Sequence, residues 1–367
     1  MKIHEKYIKR CIELAKNGLG TTSPNPMVGS VIVYNDAIIG EGYTSPYGGN
    51  HAELNAINSV KDKETLKKAT LYVSLEPCNH FGKTPPCSDL IVKCQVPKVI
   101  IGCIDPFDKV AGKGVEKLRK HGCNVEVGVL EDECVELNKR FFTCHTKKRP
   151  YIILKWAETK NGLVDKICHS ELDLEPYHKK LKQVQFDASL AKPIWITNQY
   201  SRQLVHKWRS EEQAILVGTN TAINDNPKLD VRNWQGKNPI RIVLDRNLRI
   251  PKNYHLFDKR IKTIVLTEKK NEEGAENLIY EQIDFSKDIA KQICEVLYNY
   301  TIQSVIIEGG SRTLQTFIDA NLWDEARVFI GDVNFNKGVN APVIEGKEII
   351  RQTIQADILK ILKNKNC

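Results

Sequence analysis

The sequence predicts two α/β domains in tandem, and three observations point there. Apolar, strand-like runs alternate with amphipathic helical stretches along most of the 367 residues, the pattern of layered α/β folds. A polar break, Lys147-Lys148-Arg149-Pro150, interrupts that alternation, and a strongly apolar strand restarts over residues 151–157. The length gives each side of the break enough chain to bury its own core. The expected domains are therefore residues 1–146 and 147–367.

The first domain opens with a helix over residues 4–18, carrying Ile8, Cys11, Ile12 and Ala15 on one face and closed by Asn17-Gly18. A Pro-bounded turn follows, Thr22-Ser23-Pro24-Asn25-Pro26-Met27-Val28-Gly29. It leads into strands at 30–34 and 37–42, joined as a hairpin through Asn35-Asp36. A helix starts at His51, a strand covers 69–75, and a helix covers 88–93. A short buried strand at 98–103 ends at Asp105-Pro106, before a helix at 114–121 and a strand at 124–129. This order predicts a mixed sheet sandwiched by helices. In the second domain, strands are expected at 193–197, 213–218, 240–245, 263–267, 304–308 and 327–330. Helices are expected at 199–211 and 311–320, with Ser311 at the cap of the latter. That alternation argues for a largely parallel sheet.

Composition narrows the function classes. Hydrophobic residues make up 41% and charged residues 27%, ordinary for a globular protein. No apolar run approaches the roughly 18–20 residues of a membrane span, and the amphipathic N-terminus lacks a signal peptide's apolar core. The 11 cysteines are scattered, which favours a reducing cytoplasm over a disulfide scaffold. The net charge of +9 fits nucleic acid or a phosphorylated substrate on one reading, and a Lys-rich surface on the other. No Arg-rich tract or aromatic-interleaved basic stripe of the kind used by single-strand binders is present, so the second reading is preferred and neither nucleic acid nor membrane is expected as a partner.

The chemistry gathers between residues 51 and 87. His51-Ala52-Glu53 opens this stretch, and Leu75-Glu76-Pro77-Cys78 through Pro85-Pro86-Cys87 closes it. One His and two Cys form the ligand set of a catalytic zinc site with its fourth position open. A Glu two residues after the His completes the zinc-deaminase pattern, here in a longer-spaced form with eight residues between Cys78 and Cys87. Zinc lowers the pKa of bound water to about 7. Glu53 can then shuttle protons from that water to a ring nitrogen and to departing ammonia. The competing reading is a closed structural knuckle with Cys94 or His80 as fourth ligand, which gives Glu53 no purpose. Asn25, held between two prolines, has a side chain able to read amide or ring edges, or to serve only as an Asx-turn residue.

These motifs are specific enough to name a resemblance. Residues 1–146 resemble the deaminase half of the bifunctional deaminase/reductases of riboflavin biosynthesis. The matching stretches are Pro24-Asn25-Pro26-Met27-Val28-Gly29, His51-Ala52-Glu53, Leu75 to Cys87, Asp105-Pro106 and Val110-Ala111-Gly112-Lys113-Gly114. The resemblance implies a cytidine-deaminase-like α/β/α sandwich and substrate contacts at Asn25, His80, Lys83 and Asp105. Where the family usually reads Asp-Pro-Asn-Pro, this chain has Asp105-Pro106-Phe107-Asp108.

The second half carries two candidate loops. Glu308-Gly309-Gly310-Ser311-Arg312-Thr313 places glycines at a helix start, where backbone amides can approach a phosphate. The polar, Pro-broken stretch from Gly218 to Arg232 can bind a ligand or merely connect elements. In this order they resemble the reductase half of the same family, with Lys155-Trp156-Ala157, Trp195-Ile196-Thr197, His206 with Arg209, and Leu229 with Arg232. The resemblance implies a dihydrofolate-reductase-like domain using NADPH. Ala157, Trp195, Thr221, Asp225 and the turn 310–316, including Gly310, Ser311 and Arg312, would contact the cofactor. Arg209, Leu229, Arg232 and Glu308 would contact substrate, the two arginines as a bidentate clamp for a ribose phosphate or, taken singly, as surface salt-bridging groups, and Asp225 would polarise or relay a proton. This half departs from the family in a charged stretch near 166–190, in Pro193 where a Ser is usual, and in Asn226 where a second Asp is usual.

The expected function is zinc-dependent deamination of a diamino-hydroxy-pyrimidine carrying a phosphoribosylamino group, followed by NADPH-dependent reduction of its ribosyl group to ribityl. The expected assembly is a homo-oligomer. Two alternatives compete with it: a deaminase whose second domain no longer reduces anything, and a nucleic-acid editing deaminase.

Overall fold

The computed structural model describes residues 3–81, 85–107, 111–165, 195–271 and 274–365. Lys83, Pro193 and the stretch 166–190 lie outside them. The described chain divides into two compact units. The first is Met1–Tyr151 together with Glu211–Gln213 and Cys294–Ser304, and the second comprises the remainder. Two short segments of the second half of the sequence thus belong to the first unit.

The first unit begins with α1 (Ile3–Ala15), which buries Tyr7, Ile8, Cys11 and Ala15, one stripe at helical spacing. Residues 16–18, expected to continue it, form a 3-10 turn. Strands β1 (Gly29–Tyr34) and β2 (Ala37–Tyr43) form the expected hairpin. Its turn residues Asn35 and Asp36 have φ of 48° and 59°, the left-handed pair a two-residue hairpin needs. Then come α2 (Ala52–Ser59), β3 (Thr70–Leu75), α3 (Cys87–Lys93), β4 (Lys98–Cys103), α4 (Lys113–Lys120) and β5 (Asn124–Val127). Helices α5 (Glu131–Leu137) and α6 (Lys139–Lys147) close the unit where no helix was expected; both are short and charged, with weak periodicity. The sheet order is β2-β1-β3-β4-β5. β1 runs antiparallel to both of its neighbours, and β3, β4 and β5 are parallel. Val31, Ile32, Leu71, Val73, Ile100 and Ile101 form its core with α1. At Gly29 a Cβ would fall 1.9 Å from the Cys11 carbonyl, so the absence of a side chain lets α1 lie against β1.

In the second half, β6 (Tyr151–Thr159) and β7 (Leu163–Asp165) precede α7 (Gln199–Glu211), β8 (Ala214–Gly218) and α8 (Thr219–Asp225). Next are β9 (Ile240–Leu244), β10 (Thr263–Thr267), β11 (Leu278–Gln282), α9 (Ile289–Asn299), β12 (Ser304–Ile307) and α10 (Ser311–Asp319). The last elements are β13 (Glu325–Gly331), β14 (Val339–Asn340), β15 (Lys347–Ile354) and β16 (Asp357–Lys363). Nine strands pair in the order β11-β10-β9-β8-β12-β6-β13-β16-β15, and β14 pairs with β7. The run from β11 to β12 is parallel, whereas β13, β16 and β15 are antiparallel. The sheet is therefore parallel over most of its width, with an antiparallel edge that the sequence did not suggest.

Three expectations need correction. Residues 195–197 form a bend before α7, not a strand. The stretch after Gly218, taken as a loop, starts with the helix α8. The hairpin β15–β16 was missed because β15 is exposed at nearly every position and lacks the alternation a half-buried strand shows.

Candidate active sites

His51 is the N-cap of α2, with extended φ and ψ of −76° and 163°, and Cys87 is the first residue of α3. Cys78 lies three residues past the end of β3, and its loop is fastened by the Ser88 N–H donating to the Cys78 carbonyl (3.1 Å). These placements bring the His51, Cys78 and Cys87 donor atoms within 4.8 Å of one another. The imidazole Nδ1 is 3.5 Å from Cys78 Sγ and 3.4 Å from Cys87 Sγ. Tetrahedral zinc at ordinary bond lengths spaces N and S ligands by about 3.5 Å, so the donor set fits the ion without rearrangement. Cys78 is drawn down to about 4, first by its contact with the Cys87 thiol and then by His51, against its burial. Cys87 moves up, because it faces Cys78 and is buried. Among the described residues neither Cys94 nor His80 joins the cluster. Glu53, 3% exposed, sits on the first turn of α2, and burial pushes its carboxyl up to about 7.

The cluster opens into a cavity of about 670 Å³, lined by Asn25, His51, Glu53, Cys78, His80 and Asp105 among others. The structure thus gathers every expected deaminase residue except Lys83, which lies outside the described residues. His80 Nδ1 is buried and has no hydrogen-bond partner among the described residues. Asp105 is 6% exposed, and burial raises its carboxyl to about 7, aided by Glu76 and Cys78. Phe107, the departure from the family pattern, packs against His145 with ring centroids 4.9 Å apart. Both residues line the cavity beside Phe141.

Three holding groups escaped the sequence reading. Glu76, 3% exposed, accepts four backbone N–H groups: Asp105 (3.3 Å), Gly112 (2.9 Å), Gly114 (2.9 Å) and Val115 (3.2 Å). It ties the Asp105 loop and the start of α4 to the end of β3. Gly114 comes so close that a Cβ would sit 2.1 Å from the Pro77 carbonyl. Asn138, 2% exposed, brackets the Asn25 turn by accepting from Met27 N–H and donating to its carbonyl, both at 2.8 Å. Tyr298, Asn299, Thr301 and Gln303 form a further wall of the cavity. A buried acid directly before Pro77-Cys78 was a usable signal. Nothing in the sequence relates Asn138 or Gln303 to Asn25.

In the second unit the two candidate loops meet at the carboxyl ends of the adjacent parallel strands β8 and β12, where open α/β sheets bind ligands. A Cβ on Gly218 would stand 2.5 Å from Thr313 Oγ1, and one on Gly310 3.2 Å from Thr221 Oγ1. Gly310 is the N-cap of α10, and Ser311 and Arg312 form its first turn, so backbone amides can approach a dinucleotide phosphate there. The small residues and open helix start suit NADPH. Beside them Glu308 takes a bidentate pair from Arg209, Nε at 3.2 Å and Nη2 at 2.8 Å, with Lys155 Nζ 3.8 Å away. Burial would raise Glu308, but Arg209 and Lys155 prevail and hold it at about 2.

The expected arginine clamp takes a different form. Arg209 Nη1 donates to the Asp230 carbonyl (3.3 Å), and Arg232 Nη1 to the Asp230 carboxylate (2.6 Å). Both guanidiniums thus converge on Asp230, with Arg209 already engaged by Glu308. Leu229 is 2% exposed and presents its side chain to the core. Trp195 is 56% exposed and lies under the Arg202 guanidinium, 4.7 Å from the ring centroid. Ala157 lies on β6, and Asp225, the last residue of α8, is exposed.

A buried Glu against a His-Cys-Cys donor set, on a mixed sheet between helices, defines a zinc-dependent deaminase, here followed by a second α/β unit of separate design. Comparison with known proteins sharpens this. The cytidine and deoxycytidylate deaminase zinc-binding region matches residues 1–103, and the RibD C-terminal domain matches residues 185–358. Riboflavin biosynthesis protein RibD of Aquifex aeolicus is 39% identical, covering 92% of this chain and 90% of that protein. RibD of Synechocystis is 35% identical, covering 96% and 90%. A crystal structure of a diaminohydroxyphosphoribosylaminopyrimidine deaminase/5-amino-6-(5-phosphoribosylamino)uracil reductase from Thermotoga maritima superposes with a TM-score of 0.84 at 36% identity over 99% of both chains. Acinetobacter baumannii RibD gives 0.85 at 31% identity over 99% of both. The chain belongs to the RibD family. It is a bifunctional enzyme of riboflavin biosynthesis, a deaminase using zinc and a reductase using NADPH. Neither alternative, a non-reducing second domain or a nucleic-acid editor, is favoured by these matches.

Proposed function

We propose that the first unit converts 2,5-diamino-6-(5-phosphoribosylamino)pyrimidin-4-one to the corresponding uracil with release of ammonia, and that the second reduces the ribosyl group of that product to ribityl. The observation that carries the deaminase assignment is Glu53, buried beside the His51, Cys78 and Cys87 donors at the floor of the 670 Å³ cavity. Those three residues would hold zinc, which when bound would supply the Lewis acidity that makes water a nucleophile near neutral pH. Glu53 takes one proton from the attacking water and gives it to the ring nitrogen, then takes the proton of the hydroxyl now on the ring carbon and gives it to the amine, which leaves as ammonia. Asn25, His80 and Asp105 face the pyrimidine. The walls of the cavity hold the pyrimidine against Glu53, and such positioning lowers the barrier.

In the second unit Thr221, Gly310, Ser311 and Arg312 hold the dinucleotide, with Ala157, Trp195 and Asp225 beside it. When bound, NADPH would supply the hydride. Arg209, Arg232 and Glu308 form the substrate side, with the backbone of the buried Leu229 beside them, and Glu308 fixes Arg209 through its bidentate pair. Asp225 polarises the accepting group. The protein works in the cytoplasm, a reading consistent with the free cysteines among the described residues, and as a homo-oligomer; among the described residues no helix is long and apolar enough to cross a membrane.

The test couples the two reactions. Intact protein given the diaminopyrimidine should release ammonia and consume NADPH. Glu53→Ala should lose both by at least about a thousandfold, as removal of a general acid–base group does, while still reducing supplied deaminated product. Ammonia release by Glu53→Ala at the parent rate would refute the assignment.

A further inference from the structure

Gln303 lies in the second half of the sequence, between α9 and β12, yet belongs to the first compact unit. Its backbone is anchored on both sides: its N–H donates to Gln213 Oε1 (2.5 Å), and its carbonyl accepts the Tyr151 N–H (2.8 Å). The side chain is then aimed at the Asn25 turn. Gln303 Nε2 donates to the Pro24 carbonyl (2.8 Å), and Oε1 accepts from Ser23 Oγ (3.4 Å). The residue is 6% exposed, so this amide pairing is made out of water, where a missing partner costs most. Asn138 holds the far end of the same turn at Met27. Between these two clamps Asn25 donates its own backbone N–H to the Thr22 carbonyl (3.0 Å). Its side-chain amide makes no hydrogen bond among the described residues and faces the cavity.

We propose that Gln303 is a positioning residue of the deaminase. It acts through the Ser23–Pro24 backbone on Asn25 and sets how that amide meets the pyrimidine. The proposal rests on the deaminase reading above and deepens it: a residue from the reductase half of the sequence tunes substrate binding in the first unit. Lengthening or shifting the segment 298–303 should therefore alter deamination, although it lies far from the zinc ligands in sequence.

The test measures KM and kcat for ammonia release in Gln303→Ala and Gln303→Glu. The second variant keeps the shape and an acceptor for Ser23 but removes the donor to Pro24. Each should raise KM about tenfold, the equivalent of one neutral hydrogen bond, with kcat changed by less than about threefold. Zinc content and reduction of supplied deaminated product should match the parent. In an Asn25→Ala background the same Gln303 changes should add almost nothing, because the path through Asn25 is already gone. An unchanged KM in both variants, or a full tenfold effect persisting without Asn25, would overturn the proposal. So would loss of zinc or of reductase turnover alongside the KM change, which marks a general structural prop. Absence of ammonia release from the parent protein would instead overturn the deaminase reading itself.

Discussion

Replacing Glu76 by Gln is the sharpest probe of how the deaminase site is built. The carboxylate offers acceptors only, and two backbone N–H groups converge on each oxygen: Gly114 and Val115 on Oε1, Asp105 and Gly112 on Oε2. Glu76→Gln keeps one acceptor oxygen and turns an NH2 toward the other pair. Two buried donors then lose a charged acceptor and are left unpaired, at about 1–3 kcal/mol each. At about 1.5 kcal/mol each, the loop around Asp105 and the first turn of α4 together lose about 3 kcal/mol of local stability. Hydrogen exchange over residues 105–118 reads this directly, because protection scales with the free energy of opening. About 3 kcal/mol corresponds to exchange roughly a hundredfold faster. Asp105 lines the cavity, so KM for the pyrimidine should rise in parallel. Exchange within about threefold of the parent would show that the four contacts do not hold the loop, and would remove Glu76 from the account of the site.

Two further predictions concern the second unit. Arg209→Leu removes the bidentate partner of the Glu308 carboxylate, 11% exposed, and leaves it with Lys155 at 3.8 Å and His206 nearby; breaking a buried pair costs about 3–5 kcal/mol, and the urea midpoint of this unit should fall accordingly, while an unchanged midpoint would refute the pair's burial. Acid should weaken the same unit through Glu308. Its carboxyl is held at about 2 when folded and near 4.3 when unfolded, so its contribution is complete above the unfolded value and disappears as pH falls from there toward 2. Thermal midpoints measured from neutral pH to pH 3 (about that limit) should decline more steeply in the parent than in Glu308→Gln, and parallel curves would contradict the assignment.

Much of this enzyme could be read from sequence because its parts are local. His51 and Glu53 sit two residues apart at one helix start, so their spacing alone constrains where both point. Cys78 and Cys87 flank one loop between β3 and α3, and the hairpin at Asn35-Asp36 depends on two dihedral pairs. Alternating apolar runs marked β3, β4, β8, β10 and β12 because a buried parallel strand needs an unbroken apolar face on both sides. The exposed β15 carried no such mark, and α5, α6 and α9 were passed over.

The tertiary structure decided everything that depends on strand order. Glu76 reaches Gly114 across 38 residues, Asn138 reaches Met27 across 111, and Gln303 reaches Pro24 across 279. Arg209 and Glu308, 99 residues apart, meet only because β8 and β12 lie side by side. A motif fixes chemistry over one turn or one loop, where chain geometry limits the distance. The groups that hold such a motif in place are chosen by which strands pair and which turns then face each other, and that choice belongs to the packing of the whole sheet.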